Sequence, residues 1–255
     1  MARAPGHARP LRGLDPDRQL DDPSTRQGYV TAIFDLIAPR YDAFTRWFSF
    51  GMDRGWKAEV VAAAKTALAK RGPAPVVVDL ACGTGDLAFS LSERARVVGM
   101  DVSHVMLRAA RARADGAADA PSFAGGDMVA LPLDDASVDV VTIGYGLRNA
   151  SRLELALDEA TRVLKPGGHL VTLDFYRPAN AIWRRLFLGY LALAGNLYGW
   201  AWHREPAAYG YIPRSIRRFV TADELSDALG ARGLRVYLAA TKLLGGICVH
   251  AAEKG

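Results

Sequence analysis

The stretch Val76-Val-Val-Asp-Leu-Ala-Cys-Gly-Thr-Gly-Asp86 decides the fold. Its β-branched run stops at Asp79, and Gly83 and Gly85 predict a tight turn, because glycine tolerates backbone conformations that a Cβ atom excludes. A helix that begins near Asp86 would point its free N–H groups at a ligand. A strand, a glycine loop and a helix start together predict a cradle for a nucleotide-like cofactor. Taken alone, the pattern is also typical of an ordinary tight turn.

An acidic residue follows at the distance that such a cradle requires. The second predicted strand runs from Arg96 to Asp101, which places Asp101 18 residues after Gly83. A carboxylate there can accept hydrogen bonds from two ribose hydroxyls. The alternative is a first-turn acid that faces the dipole of the next helix, which we expect Ser103 to cap and Gly116 to end.

A second acid follows a third short strand at 122–124. The segment Gly125-Gly-Asp-Met128 places Asp127 just past that strand. Its carboxylate could accept a hydrogen bond from an adenine amino group, or it could be an ordinary loop acid.

Two further strands complete the pattern. The fourth, Ser137 to Ile143, leads into Gly144-Tyr-Gly-Leu-Arg-Asn149, and the fifth, His169 to Asp174, follows Leu164-Lys-Pro-Gly-Gly168. With the three preceding features, these segments resemble the class I S-adenosylmethionine-dependent methyltransferases.

The resemblance implies an α/β, Rossmann-like fold with a seven-stranded, mostly parallel sheet and an antiparallel C-terminal strand. A nicotinamide dehydrogenase would need three parallel strands in its second half. The C-terminal third offers two candidates, Leu234–Ala240 and Gly246–Ala252. The methyltransferase interpretation is therefore the better one.

Length and composition predict a single domain over 28–255. Residues 1–27 are rich in proline and charge, and we expect them to be a disordered tail. Two helical additions are predicted: a cap over 28–72, and a lid insertion over 178–220, between strands five and six. Substrate choice on a shared fold usually depends on such additions.

The lid insertion contains an unusually apolar segment. Leu186 to Trp202 is 17 residues without a charge, whereas a membrane-spanning helix needs about 20 apolar residues. We therefore predict a buried or lid helix. Interfacial contact with a bilayer is the alternative, because the tryptophans and arginines at its ends suit that boundary.

Composition limits the partners. The 255 residues carry a net charge of +5 without a long basic run, so we expect no nucleic-acid partner. The two cysteines and five histidines show no metal-ligand spacing, and no metal is expected. No apolar core of a signal peptide is visible. We expect a cytoplasmic protein, with peripheral contact at the inner face of the membrane; a homodimer is compatible with the sequence.

A narrower resemblance rests on segments that occur in a fixed order. They are similar to the menaquinone/ubiquinone biosynthesis C-methyltransferases, from about Gly28 to His250, and comprise Ile37-Ala-Pro-Arg-Tyr-Asp42, Ser49-Phe-Gly51 with Trp56-Lys57, Asp79–Asp86, Tyr145-Gly-Leu-Arg-Asn149 and Tyr209-Gly-Tyr-Ile-Pro-Arg-Ser-Ile216. The resemblance implies methylation of a ring carbon of a prenylated, lipid-soluble quinol. A methyltransferase for another small aromatic or polyketide phenol is the alternative.

The resemblance also implies S-adenosylmethionine as cofactor. Together with the glycine loop, it assigns cofactor binding to Asp79, Gly83, Thr84, Gly85, Asp101, Asp127, Met128 and Gly144. It assigns catalytic-site roles to Arg148 and Tyr145. Arg148 would stabilise the phenolate form of the acceptor, because a guanidinium is almost always protonated. The alternative for Arg148 is a structural ion pair with an acid such as Asp174, and a water, Tyr145 or His203 could carry the acceptor's proton.

This chain departs from the family pattern mainly on the substrate side. It has Cys82 in place of the first of two paired glycines, Thr45 in place of an asparagine and Asp53 in place of a frequent histidine. Asp174-Phe-Tyr176 replaces Glu-Phe-Ser at the end of strand five, and a common lid proline is absent near Ala194.

Overall fold

A computed structural model describes residues 15–38, 45–46, 49–117, 119–198 and 207–255. Its strands are β1 Val76–Leu80, β2 Arg96–Asp101, β3 Ser122–Gly125, β4 Val138–Gly144, β5 Leu164–Phe175, β6 Leu234–Lys242 and β7 Ile247–Lys254. They form one seven-stranded sheet in the order β3-β2-β1-β4-β5-β7-β6. β7 runs antiparallel to both of its neighbours, and the other ladders are parallel. The predicted fold class is confirmed.

Helices cover both faces of the sheet and its carboxyl edge. Their bounds are α1 Pro16–Asp21, α2 Pro23–Ile37, α3 Asp53–Leu68, α4 Asp86–Leu91, α5 His104–Ala114, α6 Leu153–Val163, α7 Ala181–Tyr198, α8 Ala207–Arg218 and α9 Ala222–Gly230. The Ser103 side chain caps α5 by accepting from the Met106 N–H, as predicted.

The sheet order fixes where a ligand can bind. From β1 the chain moves through β2 to β3 on one side, and β4 and β5 lie on the other. The strand order therefore reverses between β1 and β4, and a crevice opens there beyond the carboxyl ends of the strands. Both strands are buried over nearly all of their length, as expected for parallel strands covered on both faces.

The prediction of a disordered tail over 1–27 is wrong for residues 15–27, where α1 and the start of α2 lie. Asp15 and Asp22 each cap a helix by accepting from a backbone N–H, and a proline occupies the first position of each helix. Proline suits that position because its missing N–H would have no partner there. Leu20 of α1 is buried, so hydrophobic packing holds the segment. The helices of the cap accordingly begin at Pro16 rather than at Gly28.

The predicted cap and lid form one helical layer. Side chains of α1, α2, α7 and α8 share a hydrophobic core that includes Leu20, Tyr29, Ile33, Ile37, Phe187, Leu191, Tyr211, Ile212 and Ile216. The Trp183 indole N–H donates to the Leu243 carbonyl at 2.8 Å and ties α7 to the turn before β7. Parts of the predicted cap and lid, 39–44, 47–48 and 199–206, lie outside the described residues, and so does His203.

The outer face of α7 is also apolar. Five large side chains on it are exposed: Ile182, Leu186, Tyr190, Leu193 and Leu197. Phe50 stacks on Tyr190 with ring centroids 6.2 Å apart and extends this surface. Among the described residues, none of the helices combines the length and apolarity that crossing a bilayer requires.

Candidate active site

The glycine loop leaves β1 through a sequence of left-handed backbone conformations. Ala81 has φ 52°, Gly83 φ 54° and Gly85 φ 90°. A Cβ atom on Gly85 would lie 2.8 Å from the Phe123 ring. Glycine at this position is therefore required both by the backbone and by the close approach of β3.

Asp101 lies at the carboxyl end of β2 and faces the glycine loop. Its carboxylate accepts from the Gly83 N–H at 2.9 Å and from the Ser103 N–H at 2.8 Å, one bond to each oxygen. Burial raises the pKa of Asp101. Each carboxylate oxygen has a second lone pair, so Asp101 remains able to accept from ribose hydroxyls while it fixes the loop.

Asp127 lies just beyond β3, at the other end of the same crevice. One of its oxygens accepts from the Val129 N–H at 3.1 Å, and the other from the side-chain amide of Gln27 at 2.8 Å. Gln27 belongs to α2, which therefore reaches over the crevice and contacts the acid that we predict to bind adenine. A second hydrogen bond ties α2 to this region: the Ser103 hydroxyl donates to the Asp35 carboxylate at 2.5 Å.

Asp79 is buried at the end of β1. It accepts from the Thr142 hydroxyl of β4 at 2.7 Å. Burial raises the pKa of Asp79 to about 7, because desolvation disfavours the charged carboxylate. The protonation state of Asp79 can therefore change near neutral pH.

One large cavity joins the predicted cofactor residues. It encloses about 770 Å³ of empty space, including the part open to solvent. Predicted residues in its wall are Gly83, Asp101, Asp127, Met128, Gly144 and Tyr145, and α2 contributes Gln27, Val30, Thr31 and Phe34. A second, smaller cavity is lined by Asp79, Gly83, Thr84, Gly144 and Tyr145, with Lys57 and Asp86. The structure thus brings most of the predicted cofactor residues to one crevice.

The residues around the crevice suit a cofactor that contains an adenosine. A Cβ atom on Gly146 would lie 2.7 Å from the Ala81 Cβ, and one on Gly126 would lie 2.5 Å from the Met100 Cε. Gly146 keeps the cradle open, whereas the flexible end of the Met100 side chain could move away from a Cβ atom at Gly126. The carboxylates of Asp101 and Asp127 suit the hydroxyl and amino donors of an adenosine, and Met100 and Met106 add apolar residues to the wall.

Tyr145 lines both cavities and is held in a strained conformation. Its φ is 59°, which is rare for a bulky residue and is maintained only where the surroundings impose it. Its N–H donates to the Leu173 carbonyl at 2.6 Å, and its own carbonyl accepts from Arg148 at 3.0 Å and from Asn149 at 3.1 Å. Its hydroxyl donates to Asp53 at 2.7 Å.

Arg148 forms the ion pair with Asp174 that is the alternative to a catalytic role. Its guanidinium pairs with Asp174 at 2.6 Å, and both side chains are at least 96% buried. A further guanidinium nitrogen lies 3.5 Å from the Tyr211 hydroxyl. Arg148 is not among the described residues that line the large cavity, although Tyr145 and Asn149 of the same loop are. Arg148 therefore fixes the loop that carries Tyr145.

Sequence reasoning missed Gln27, Asp53 and Lys57 as site residues. Gln27 fell in the segment that we predicted to be disordered, although the capping pairs Asp15-Pro16 and Asp22-Pro23 are signals that helices begin there. Lys57 entered the sequence analysis only as part of a matching segment and Asp53 only as a departure from the family pattern, because nothing in the local pattern shows that α3 reaches Tyr145.

Comparison with known proteins agrees with this geometry. The sequence profile described as the ubiE/COQ5 methyltransferase family matches residues 23–254. A demethylmenaquinone methyltransferase of Thermus thermophilus is 39% identical over 80% of this chain and 92% of its own length. A ubiquinone/menaquinone biosynthesis C-methyltransferase of Syntrophotalea carbinolica is 37% identical over 84% of this chain and 89% of its own.

A solved structure supports the fold. The S-adenosylmethionine-dependent methyltransferase of Thermotoga maritima, described as a possible histamine N-methyltransferase, superimposes with a TM-score of 0.58. It is 20% identical and covers 86% of this chain and 99% of its own. The sequence match extends over nearly the whole described fold, so the chain is a methyltransferase and belongs to the ubiE/COQ5 methyltransferase family.

Proposed function

We propose that this chain methylates a ring carbon of a prenylated, lipid-soluble quinol with S-adenosylmethionine as the methyl donor. The observation that carries the proposal is the crevice in which two acids, Asp101 and Asp127, and the strained Tyr145 line one cavity. The apolar helical layer of α2, α7 and α8 lies against it. The names of the relatives, which refer to quinone methylation, support the choice of acceptor.

Asp101 would accept from the ribose hydroxyls of the cofactor, and Asp127 from its adenine amino group. The loop Gly83-Thr84-Gly85 and Met128 would enclose the adenosine, while Asp79 would face its cationic end from the second cavity. When bound, the cofactor supplies a methyl group on a positively charged sulfur. The protein's remaining work is to align the acceptor carbon and to exclude water.

Carbon methylation needs an electron-rich ring, which the acceptor gains when its hydroxyl loses a proton. Two residues are candidates for promoting this step. Tyr145 lies in the cavity wall, which makes it a candidate to contact the acceptor. Arg148 carries a permanent charge, but its pairing with Asp174 favours a role in holding Tyr145 over direct stabilisation of the phenolate.

We also propose that the chain works at the inner, cytoplasmic face of a membrane, since the acceptor would be dissolved in the bilayer. The exposed apolar side chains of α7 and Phe50 support this placement.

The test is an assay of methyl transfer from radiolabelled S-adenosylmethionine in detergent. The acceptors are a prenylated demethylmenaquinol, a prenylated benzoquinol that lacks the methyl group, and a tail-less naphthol. We expect methylation of a prenylated quinol, with kcat/KM higher than for the naphthol. Methylation of the naphthol alone would contradict the proposal and favour the small-phenol alternative.

A further inference from the structure

A polar recess opens beside the apolar surface formed by α7 and Phe50. Its lining residues are Arg46, Gly51, Asp53, Arg54, Lys57 and Asp86. It encloses about 790 Å³ of empty space, including the part open to solvent. Lys57 and Asp86 also line the second, smaller cavity at the cofactor loop, so a ligand in the recess would lie next to the proposed active site.

The charged groups of the recess are unequally engaged. Its two acids, Asp53 and Asp86, both pair with Lys57 at 2.9 Å. Arg46 and Arg54 are exposed, and neither guanidinium has a hydrogen-bond or ion-pair partner in the part of the chain that the structure describes. The two arginines are therefore left to bind an anion from outside the chain.

A compact turn ties Arg46 to the start of α3. The Gly51 N–H donates to the Arg46 carbonyl at 2.8 Å. The buried Ser49 hydroxyl donates to the same carbonyl at 3.4 Å and accepts from the Asp53 N–H at 3.2 Å. Arg54 lies in the first turn of α3, so these bonds hold both arginines at one recess.

The same turn presents Phe50 to solvent in a strained conformation. Phe50 has φ 51°, which is rare for a bulky residue, and its side chain is 76% exposed. Burial within the chain does not account for this arrangement. The ring stacks on Tyr190, so the turn continues the exposed apolar face of α7. An exposed apolar surface of this kind is typical of a contact with a partner or a membrane.

We propose that the recess binds the phosphate group of an anionic membrane phospholipid, while Phe50 and the outer face of α7 contact its apolar part. The planar guanidinium of an arginine pairs with phosphate through two parallel hydrogen bonds. A phospholipid matches both halves of this surface, because it joins an anion to acyl chains. The inference rests on the membrane placement in the proposed function and names the lipid group that this surface selects.

Vesicle sedimentation of the full chain tests the inference with three double variants. Arg46→Gln with Arg54→Gln is the neutral variant, and Arg46→Lys with Arg54→Lys is the charge-conserving variant. The control, Arg94→Gln with Arg96→Gln, removes two exposed charges at the amino end of β2, on the opposite edge of the sheet. The vesicles contain phosphatidylcholine alone or together with phosphatidylglycerol.

With phosphatidylglycerol present, we expect the neutral variant to bind roughly 30-fold more weakly than the wild type, about fivefold for each charge lost. The charge-conserving variant should bind several-fold more weakly, because an ammonium lacks the planar fork of a guanidinium. The control should stay within about twofold, since its charges lie too far from the recess to act through a screened solution. Binding to phosphatidylcholine alone should differ less among the four proteins.

Phe50→Gly gives a readout of the strained turn. Glycine adopts left-handed conformations readily, so the unfolding temperature should stay at or above that of the wild type while binding to both kinds of vesicle falls. A marked drop in the unfolding temperature with unchanged vesicle binding would assign Phe50 to internal packing and contradict its part in the inference.

Equal losses in the neutral variant and the control, or full binding by the charge-conserving variant, would overturn the inference and leave a general effect of charge. Calorimetric titration with inorganic phosphate distinguishes the source of the anion. Phosphate binding that the neutral variant loses, without any change in its vesicle binding, would assign the recess to a free phosphate and overturn the lipid as its ligand.

Methyl transfer in detergent, measured on the same samples, separates this inference from the proposed function. If the wild type methylates a prenylated quinol and the neutral variant binds anionic vesicles as the wild type does, only this inference is wrong. If the wild type methylates no quinol and the neutral variant loses vesicle binding, only the proposed acceptor is wrong.

Discussion

At the scale of single residues, we expect Asp79 to make cofactor affinity depend on pH. Burial raises its pKa to about 7, so Asp79 is mostly protonated at pH 6 and mostly ionised at pH 8. A cationic ligand in the cavity that Asp79 lines favours the ionised form. We therefore expect the affinity for S-adenosylmethionine to rise roughly tenfold from pH 6 to pH 8, by proton linkage.

Isothermal titration of wild type and Asp79→Asn at several pH values checks this expectation. The substitution removes the titrating group, so its pH dependence should be nearly flat. S-adenosylhomocysteine, which lacks the positive charge on sulfur, should show a weaker pH dependence than S-adenosylmethionine with the wild type. An Asp79→Asn variant that keeps the full pH dependence would assign the effect to another group.

The buried pair of Arg148 and Asp174 makes a second prediction at this scale. Removing one partner leaves a buried charge uncompensated, which costs about 3–5 kcal/mol. We expect Asp174→Asn and Arg148→Met each to lower the free energy of unfolding by an amount of this order, measured by urea denaturation. Replacing both partners together, with Arg148→Met and Asp174→Leu, should recover most of the stability.

The same double variant tests the catalytic interpretation of Arg148. If Arg148 only holds the loop of Tyr145, a stable double variant should regain activity in step with stability. If its charge stabilises the phenolate, methyl transfer should stay low although the protein is folded. Thermal unfolding and kcat, measured on the same samples, separate these outcomes.

At the scale of elements, α2 lines the crevice that we propose to bind the cofactor. Gln27 orients the carboxylate of Asp127 through a 2.8 Å hydrogen bond, and hydrogen bonds to charged groups contribute about 1.5–3 kcal/mol. We expect Gln27→Ala to raise the Kd for S-adenosylmethionine by roughly tenfold, since 1.4 kcal/mol corresponds to a factor of ten.

Gln19 of α1 is a matched control for Gln27. It lies in the same helical layer, and Gln19→Ala should leave the cofactor Kd unchanged, as measured by isothermal titration. Equal affinities of the Gln27→Ala variant and the wild type would mean that α2 covers the crevice without contributing to cofactor binding.

At the scale of the whole molecule, the apolar surface of α7 and Phe50 lies on the outside of the helical layer. Leu186 and Leu193 are 62% and 64% exposed, and burial of such side chains in a bilayer interface is favourable. α7 carries no acidic residue, and Arg185 near its start is exposed. We expect the chain to bind vesicles of phosphatidylcholine and phosphatidylglycerol more tightly than neutral vesicles.

Vesicle sedimentation of the Leu186→Ser, Leu193→Ser double variant measures the contribution of this surface. The bound fraction should fall several-fold, while the unfolding temperature stays near that of the wild type. Tyr190 and Tyr237 offer a matched pair, because they are 41% and 43% exposed on different elements. Tyr190→Ser should weaken binding and Tyr237→Ser should not. Equal binding by all variants would place the membrane contact elsewhere.

The sequence determined the sheet and the cofactor crevice, because both depend on local signals. Local signals predict β1, β2 and β3: a β-branched run, the glycine loop, and an acid at or just after the end of each strand. Parallel strands then bring their carboxyl ends to one edge of the sheet. The predicted strand bounds agree with the structure to within a few residues at most positions; the main exceptions are β5, which begins at Leu164 rather than His169, and the longer ends of β6 and β7. For this reason, Asp101 and Asp127 line the same cavity.

Only the tertiary structure decided the partners of the side chains that lie far apart in the sequence. Tyr145 meets Asp53 across 92 residues, Gln27 meets Asp127 across 100, and Arg148 meets Asp174 across 26. No local pattern reports such contacts, because they depend on how α2 and α3 pack over the crevice. The sequence indicated the strands and the residues that we propose to bind the cofactor; packing decided the partners that hold their side chains in place.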